Sequence, residues 1–196
     1  MAKLFDIRIG QDLLAQACCG DEHAQSQIYA ALAPATIGLI RRVVGGGAQA
    51  EDLFQDTMMT FFERLHTYRA EAPIGAWLRQ IALSKCFMYL RSPWYRARLQ
   101  LSGASEEEGA WKGELSRASV PGPVAESMDV ERALSSLSPT ARAVVWLFEV
   151  EGYSHEEIGR CFGRSTSFSK SQLARAHSRL RDWFEPSVER PACTSI

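Results

Sequence analysis

The chain has 196 residues, 46% of them apolar and 23% charged, which is the composition of an ordinary folded protein that buries one moderate core or two small ones. No stretch approaches the roughly 18 uninterrupted apolar residues of a membrane span. Met1 to Gly10 mixes charged with apolar residues instead of building a signal-peptide core, so a cytoplasmic location without membrane insertion is expected.

The predicted elements are helical from the start. Asp21 stands as N-cap before a helix carrying Ala24, Ile28 and Leu32, and Gly20, Pro34 and Gly45 to Gly47 supply breaks. A longer helix begins near Ala50, with Leu53, Thr57, Phe61 and Leu65 recurring every fourth residue as one buried stripe. Pro73 suits the first turn of the next helix, whose Trp77, Leu78, Ile81, Ala82 and Leu90 form a second apolar face. From Gln100 to Ser127 the composition shifts to Ser, Gly, Glu and Pro, the signature of a flexible linker, with Trp111 its one large aromatic residue.

Helical spacing then resumes. Val130, Leu134 and Leu137 mark a short helix; Ser138 and Pro139 open another, which Gly152 stops. Ser154 and Glu157 form a capping box, Tyr153 and Ile158 occupy the staple positions, and Gly163 ends that helix after about two turns. Ser165 or Thr166 caps a longer helix to about Phe184, with Leu173, Ala176 and Leu180 on one side. A short helix, a glycine and a long helix spell a helix-turn-helix, the form that fits the major groove and aims its first turns at base edges. With no alternation of strand type, the expected fold class is all-α: two small helical domains joined by a flexible linker, the second with the helix-turn-helix.

Charge supports two contacts with a polyanion. The net charge is only -1, but residues 72–105 hold five basic and no acidic residues, residues 126–157 seven acidic and two basic, and residues 158–181 six basic and no acidic. Cys18, Cys19, Cys86, Cys161 and Cys193 show neither a CxxC pair nor a repeated spacing, and His23, His66, His155 and His177 pair with none of them at ligand intervals. Asp52 and Asp56 share a helix face with Gln55 beside them, but lack a third ligand or a histidine. No metal, cofactor or catalytic residue is therefore expected, and the chain reads as no enzyme.

Three runs resemble one family. The run from Leu137 to Ile158, followed by Lys170-Ser171-Gln172-Leu173, is similar to region four of sigma factors. Ala50 to Asp56 resembles the region-two helix, and Tyr68 to Ile74 with Ala76 to Ala82 resembles the promoter-melting segment that follows it. The whole is similar to an extracytoplasmic-function (ECF) sigma factor of the sigma-70 family over about 150 residues, with both motifs in order and a linker between them.

The resemblance implies a division into 1–99 (region two), 100–127 (linker), 128–185 (region four) and 186–196 (tail). It implies docking on the β′ clamp helices of core RNA polymerase through Asp52, Gln55 and Asp56. Contact with the minus ten element would fall to Tyr68, Arg69, Glu71, Trp77, Arg79, Lys85 and Arg91. Contact with the minus thirty-five element would fall to Arg164, Lys170, Ser171, Gln172, Ala174 and Arg175. The β flap, promoter DNA and an anti-sigma factor are the further partners it implies.

Met88, Ser169 and Gln172 depart from the family pattern. Met88 stands where Asp is frequent, Ser169 is expected to loosen local packing unless Phe168 substitutes for it, and Gln172 is expected to exchange a phosphate or guanine contact for an adenine one. Two other readings are a stand-alone helix-turn-helix regulator and a polymerase-binding adaptor without promoter recognition, the latter hinted at only by Ser169 and Gln172.

Overall fold

The structure, a computed structural model, describes residues 4–95, 97, 130 and 132–184. The expected linker at 100–127 with Trp111, the basic residues Arg96 and Arg98, Cys193 and the expected tail at 186–196 lie outside the described residues. Among the described residues the regular elements are all helical.

The first unit contains α1 (Gln11–Cys18), α2 (Glu22–Val44), α3 (Ala48–Arg64) and α4 (Ile74–Arg91), with short 3-10 turns at Leu4–Asp6 and Leu65–Thr67. Asp21 caps α2 as its type and position predict, Oδ1 accepting from the Ala24 N–H at 2.7 Å. Pro34 does not break the chain there: α2 runs through it. A mid-helix proline forfeits one hydrogen bond and crowds the carbonyl four residues earlier. That carbonyl belongs to Ala30, which like Pro34 is exposed, so solvent meets its hydrogen-bonding need. The α3 stripe is as expected, with Leu53, Thr57, Phe61 and Leu65 all buried. Leu78, Ala82 and Leu90 of α4 close the same core, while Trp77 and Ile81 are half-buried at its edge.

The second unit follows a helical stretch at 132–135 with α5 (Pro139–Val145), a π-helical turn (Trp146–Val150), α6 (His155–Phe162) and α7 (Thr166–Phe184). Val130 does not join the expected apolar face; it is 51% exposed, whereas Leu137 is buried. Ser138 caps α5 by accepting from the Ala141 N–H at 3.2 Å. Arg142 ties this start together. Its Nε donates to Leu134 O at 2.8 Å, and its Nη2 to Ser135 O and Leu137 O, both at 3.2 Å. Carbonyls at a helix end need such donors. Burial lowers the Arg142 pKa to about 10, which leaves it charged at neutral pH.

The two units are packed together. α2 lies against α5 and α4 against α6, so one apolar cluster runs from Ile28 and Ile40 through Phe87 to Leu147 and Leu173. No helix among the described residues is long and apolar enough to cross a membrane.

Candidate polymerase and nucleic-acid interfaces

Three surfaces emerge. On α3, Asp52, Gln55 and Asp56 are exposed on the side opposite the Leu53 and Thr57 stripe, as three- and four-residue spacings require. Met59 continues that outward face and is 62% exposed, and Tyr29 of α2, 44% exposed, makes an edge contact with Phe54 at 6.1 Å between centroids. Sequence reasoning missed Met59. Its signal was an apolar residue seven after Asp52, on the face turned away from the stripe. Glu51 is separate from this group, held by Arg41 at 2.5 Å.

The second surface is the loop between α3 and α4. Tyr68 donates its hydroxyl to Ala72 O at 2.5 Å, which closes the loop across its base. Burial raises the phenol pKa, so the hydroxyl remains a donor. The Tyr68 ring lies 5.4 Å from Trp77, and Trp77 lies 5.5 Å from Phe61, an aromatic row leading from the loop to the core. At the tip Arg69 and Glu71 are exposed on either side of Ala70, whose φ of 56° is left-handed, a conformation non-glycine residues seldom hold without a reason.

The cations of α4 do not form the single surface that their run in sequence suggests. At about 100° per residue, Arg79, Lys85 and Arg91 stand about 240° apart in succession and point three ways around the helix. Arg91 is exposed, its Nε donating to Phe87 O at 3.3 Å; Lys85 is half-buried. Arg79 is turned toward the second unit, where it pairs with Glu151 and faces the Tyr153 ring at 5.5 Å.

The helix-turn-helix forms the third surface. Ser154 and Glu157 make the capping box in both directions, at 3.2 Å from the Glu157 N–H to Ser154 Oγ and 2.8 Å from the Ser154 N–H to Glu157 Oε2. The Ser154 N–H and, also at 2.8 Å, the Ser154 hydroxyl both donate to Glu157 Oε2 and hold the carboxyl below the usual carboxylate range. Gly163 ends α6 in the left-handed conformation, and Ser165 starts α7 by accepting from the Phe168 N–H at 3.3 Å. On α7, Lys170, Ser171, Ala174 and Arg175 are exposed along one arc, with Lys170 and Arg175 at its edges. Arg175 reaches back to Ser171 O at 3.2 Å, and the Arg164 guanidinium stands 5.9 Å from the Phe168 ring.

Two expectations on α7 are corrected. Gln172 is buried, 4% exposed, on the side of Leu173 and Ala176, so in this orientation it offers no adenine contact. Ser169 is wholly buried and does not leave a defect: its hydroxyl meets His155 Nδ1 at 3.0 Å, and the imidazole stacks on Phe148 at 4.4 Å between centroids. Met88 is 60% exposed, on the outside of α4. Cys86 is buried, which pushes its thiol up to about 12; Cys18 and Cys19 are exposed and Cys161 is half-buried. Among the described residues no three His, Cys, Asp or Glu side chains gather into a metal-holding group.

An acidic helix face, an aromatic-backed loop and a capped helix-turn-helix follow one another in that order along the chain. The sequence matches the Sigma-70 region 2 model over residues 28–95 and the Sigma-70 region 4 model over residues 127–180. The chain is 28% identical over 173 residues to the ECF RNA polymerase sigma factor SigM of Mycobacterium tuberculosis, covering 88% of this chain and 83% of that protein. It is 30% identical over 148 residues to the RNA polymerase sigma-E factor of Streptomyces coelicolor, covering 72% of this chain and 75% of that one. The fold is shared with the sigma factor RpoE from Bartonella quintana, solved in complex with the anti-sigma factor NepR, at a TM-score of 0.52, 22% identity and coverage of 84% of this chain and 98% of that one. The chain belongs to the sigma-70 family, as an RNA polymerase sigma factor of the ECF type.

Proposed function

We propose that this sigma factor works through three named surfaces, with boundaries at 1–99 for region two, 100–127 for the linker, 128–185 for region four and 186–196 for the tail. Asp52, Gln55 and Asp56, with Met59 beside them, dock on the β′ clamp helices of core polymerase. The loop from Tyr68 to Ile74 holds an unstacked base of the minus ten element, with Trp77 behind it and Arg69, Glu71, Arg79, Lys85 and Arg91 around the melted strands. Extruding a base costs a few kcal/mol, offset by pocket contacts and phosphate neutralisation.

Region four reads the minus thirty-five element through α7, near the β flap. Lys170, Ser171, Ala174 and Arg175 face the groove, and Arg164 faces the backbone. The observation that carries this reading is the exposed arc of α7, opposite a side buried by Ser169, Gln172, Leu173 and Ala176. Ser169 and Gln172, which alone hinted at an adaptor without promoter recognition, lie on the buried side and say nothing about DNA contact. No covalent step is asked of any residue, and the site of action is the cytoplasm. An anti-sigma factor is the expected regulator, since the Bartonella quintana sigma factor was solved with one.

Promoter binding by holoenzyme tests the assignment on α7. Arg175→Ala should lose about 1–3 kcal/mol and relax preference at one base pair, as loss of a two-pronged guanine contact does. Lys170→Ala should weaken all promoters alike and reduce the salt slope by roughly one. If both variants keep wild-type affinity, slope and preference, α7 is not the upstream reader.

A further inference from the structure

The region-two match begins at residue 28, so the chain ahead of it lies outside the family model. That stretch is nevertheless built into the root of the Tyr68 to Ile74 loop. Leu4 is buried, and Ile7 and Ile9 pack against the same core while Arg8 between them is exposed. The 3-10 turn at Leu4–Asp6 lies on α4, and the Gly75 N–H donates to Ile7 O at 3.3 Å. That bond satisfies one of the backbone donors that the first turn of a helix leaves open.

The approach is close. A Cβ on Gly75 would stand 1.9 Å from Leu4 O and 3.1 Å from Ile7 O, both backbone atoms. Gly75 is itself buried and directly follows Pro73 and Ile74, on which the loop ends. The arm and the loop therefore share one root, and Arg8 emerges beside it. Among the described residues no carboxylate stands within ion-pair reach of Arg8. Its charge is felt in the loop: burial raises the Tyr68 phenol pKa, and Arg8 acts against that rise. Charges act on one another over about 8–10 Å in physiological salt, so a cation that reaches Tyr68 also reaches a phosphate drawn into the loop. Arg79, Lys85 and Arg91 point three ways around α4, with Arg79 turned to the second unit, so α4 does not gather its cations at this loop.

We propose that residues 4–9 form a wall of the minus ten site, in which Leu4 and Ile7 seat the arm on Gly75 and Arg8 binds the phosphate next to the unstacked base. Extruding a base rotates its nucleotide about the backbone, and a guanidinium on the adjoining phosphate holds it in that state. Gly75 sets the distance, since any side chain there lifts the arm from α4. The proposal rests on the reading of the Tyr68 to Ile74 loop as the holder of that base.

The test uses holoenzyme assembled from core polymerase and the full-length protein. The probe is a fluorescein-labelled single strand carrying the minus ten element of a promoter that the wild type transcribes. Arg8→Ala should bind this strand roughly tenfold more weakly at about 0.1 M salt, and the salt slope should fall by about 0.7, the value of one phosphate on a single strand. Arg8→Lys should keep the wild-type slope, because an ammonium neutralises the same phosphate. Gly75→Ala should reproduce the loss and slope of Arg8→Ala, and joining the two should add nothing, since both remove one contact. An abasic nucleotide stepped through the element reads the loop separately: with wild type, one position should weaken binding roughly tenfold.

Wild-type affinity and slope in Arg8→Ala, or a slope in Arg8→Lys as low as in Arg8→Ala, overturns the phosphate contact. A Gly75→Ala protein that binds like wild type, or a double variant weaker than either single one, overturns the seating of Arg8 by Gly75. Arg8 is exposed, so its variants read the contact even where Gly75→Ala does not fold. If one abasic position matters and Arg8→Ala does not, the arm fails and the loop reading stands. If no abasic position matters, the loop reading itself fails and the proposal with it.

Discussion

Gly159 lies where α6 passes the turn into α7, and there only a hydrogen fits. A Cβ would stand 2.9 Å from Arg164 O and 3.0 Å from Ser165 O, both backbone atoms that cannot swing aside. Gly159→Ala should destabilise the protein by about 2 kcal/mol, read as a lower urea midpoint; an unchanged midpoint would show that the turn yields. Gln172→Ala should likewise lower stability yet leave promoter base preference intact, the reverse of Arg175→Ala, because one side chain is buried and the other exposed. Glu157 adds a pH dependence. Its pKa is depressed in the folded state by hydrogen bonds from Ser154, the backbone one first. The capping box should therefore contribute fully above the unfolded carboxyl value of about 4.3 and be lost as pH falls through the lower folded value. Thermal midpoints of wild type and Glu157→Gln should converge in acid. A constant gap down to about pH 2 would contradict this capping role.

Elements differ in how far their sequence announces them. Asp21, Ser138, the Ser154–Glu157 box and Gly163 mark helix ends by local hydrogen-bond chemistry, and each is found at a helix end. Four-residue spacing likewise foretells the buried stripe of α3. Pro34 misleads, since proline signals a break only where neighbours cannot meet the lost bond, and exposure is a tertiary property. The inward turn of Gln172 was legible: it is three after Ser169 and four before Ala176, hence on their side of the helix. The π turn was not, because five-residue hydrogen bonding has no distinctive side-chain pattern. For the α3 docking face, Asp52→Arg with Asp56→Arg should abolish co-purification with core polymerase while the helical circular dichroism stays at wild-type strength. Both residues are exposed, so the core does not feel the change. Wild-type recovery with core would remove the docking assignment.

At the scale of the whole molecule, sequence reveals the two motifs and their order but not their contact. The Arg79–Glu151 pair joins residues that no periodicity relates, and the basic run on α4, continuous as text, divides around the helix once wound. The net charge of -1 conceals these surfaces because the acidic block at 126–157 offsets the basic blocks at 72–105 and 158–181 in the sum. On the proposed reading, sigma activity requires both units in one chain, with core docking assigned to α3 and promoter reading to α7. The most direct measurement is transcription of a promoter library by purified core polymerase, with no factor, with the wild-type protein, and with the Asp52→Arg, Asp56→Arg and Arg175→Ala variants. Wild type should produce a defined set of transcripts sharing an upstream element. The double α3 variant should produce none of them, and Arg175→Ala a set relaxed at one base pair. A transcript spectrum identical with and without the wild-type protein would contradict the account.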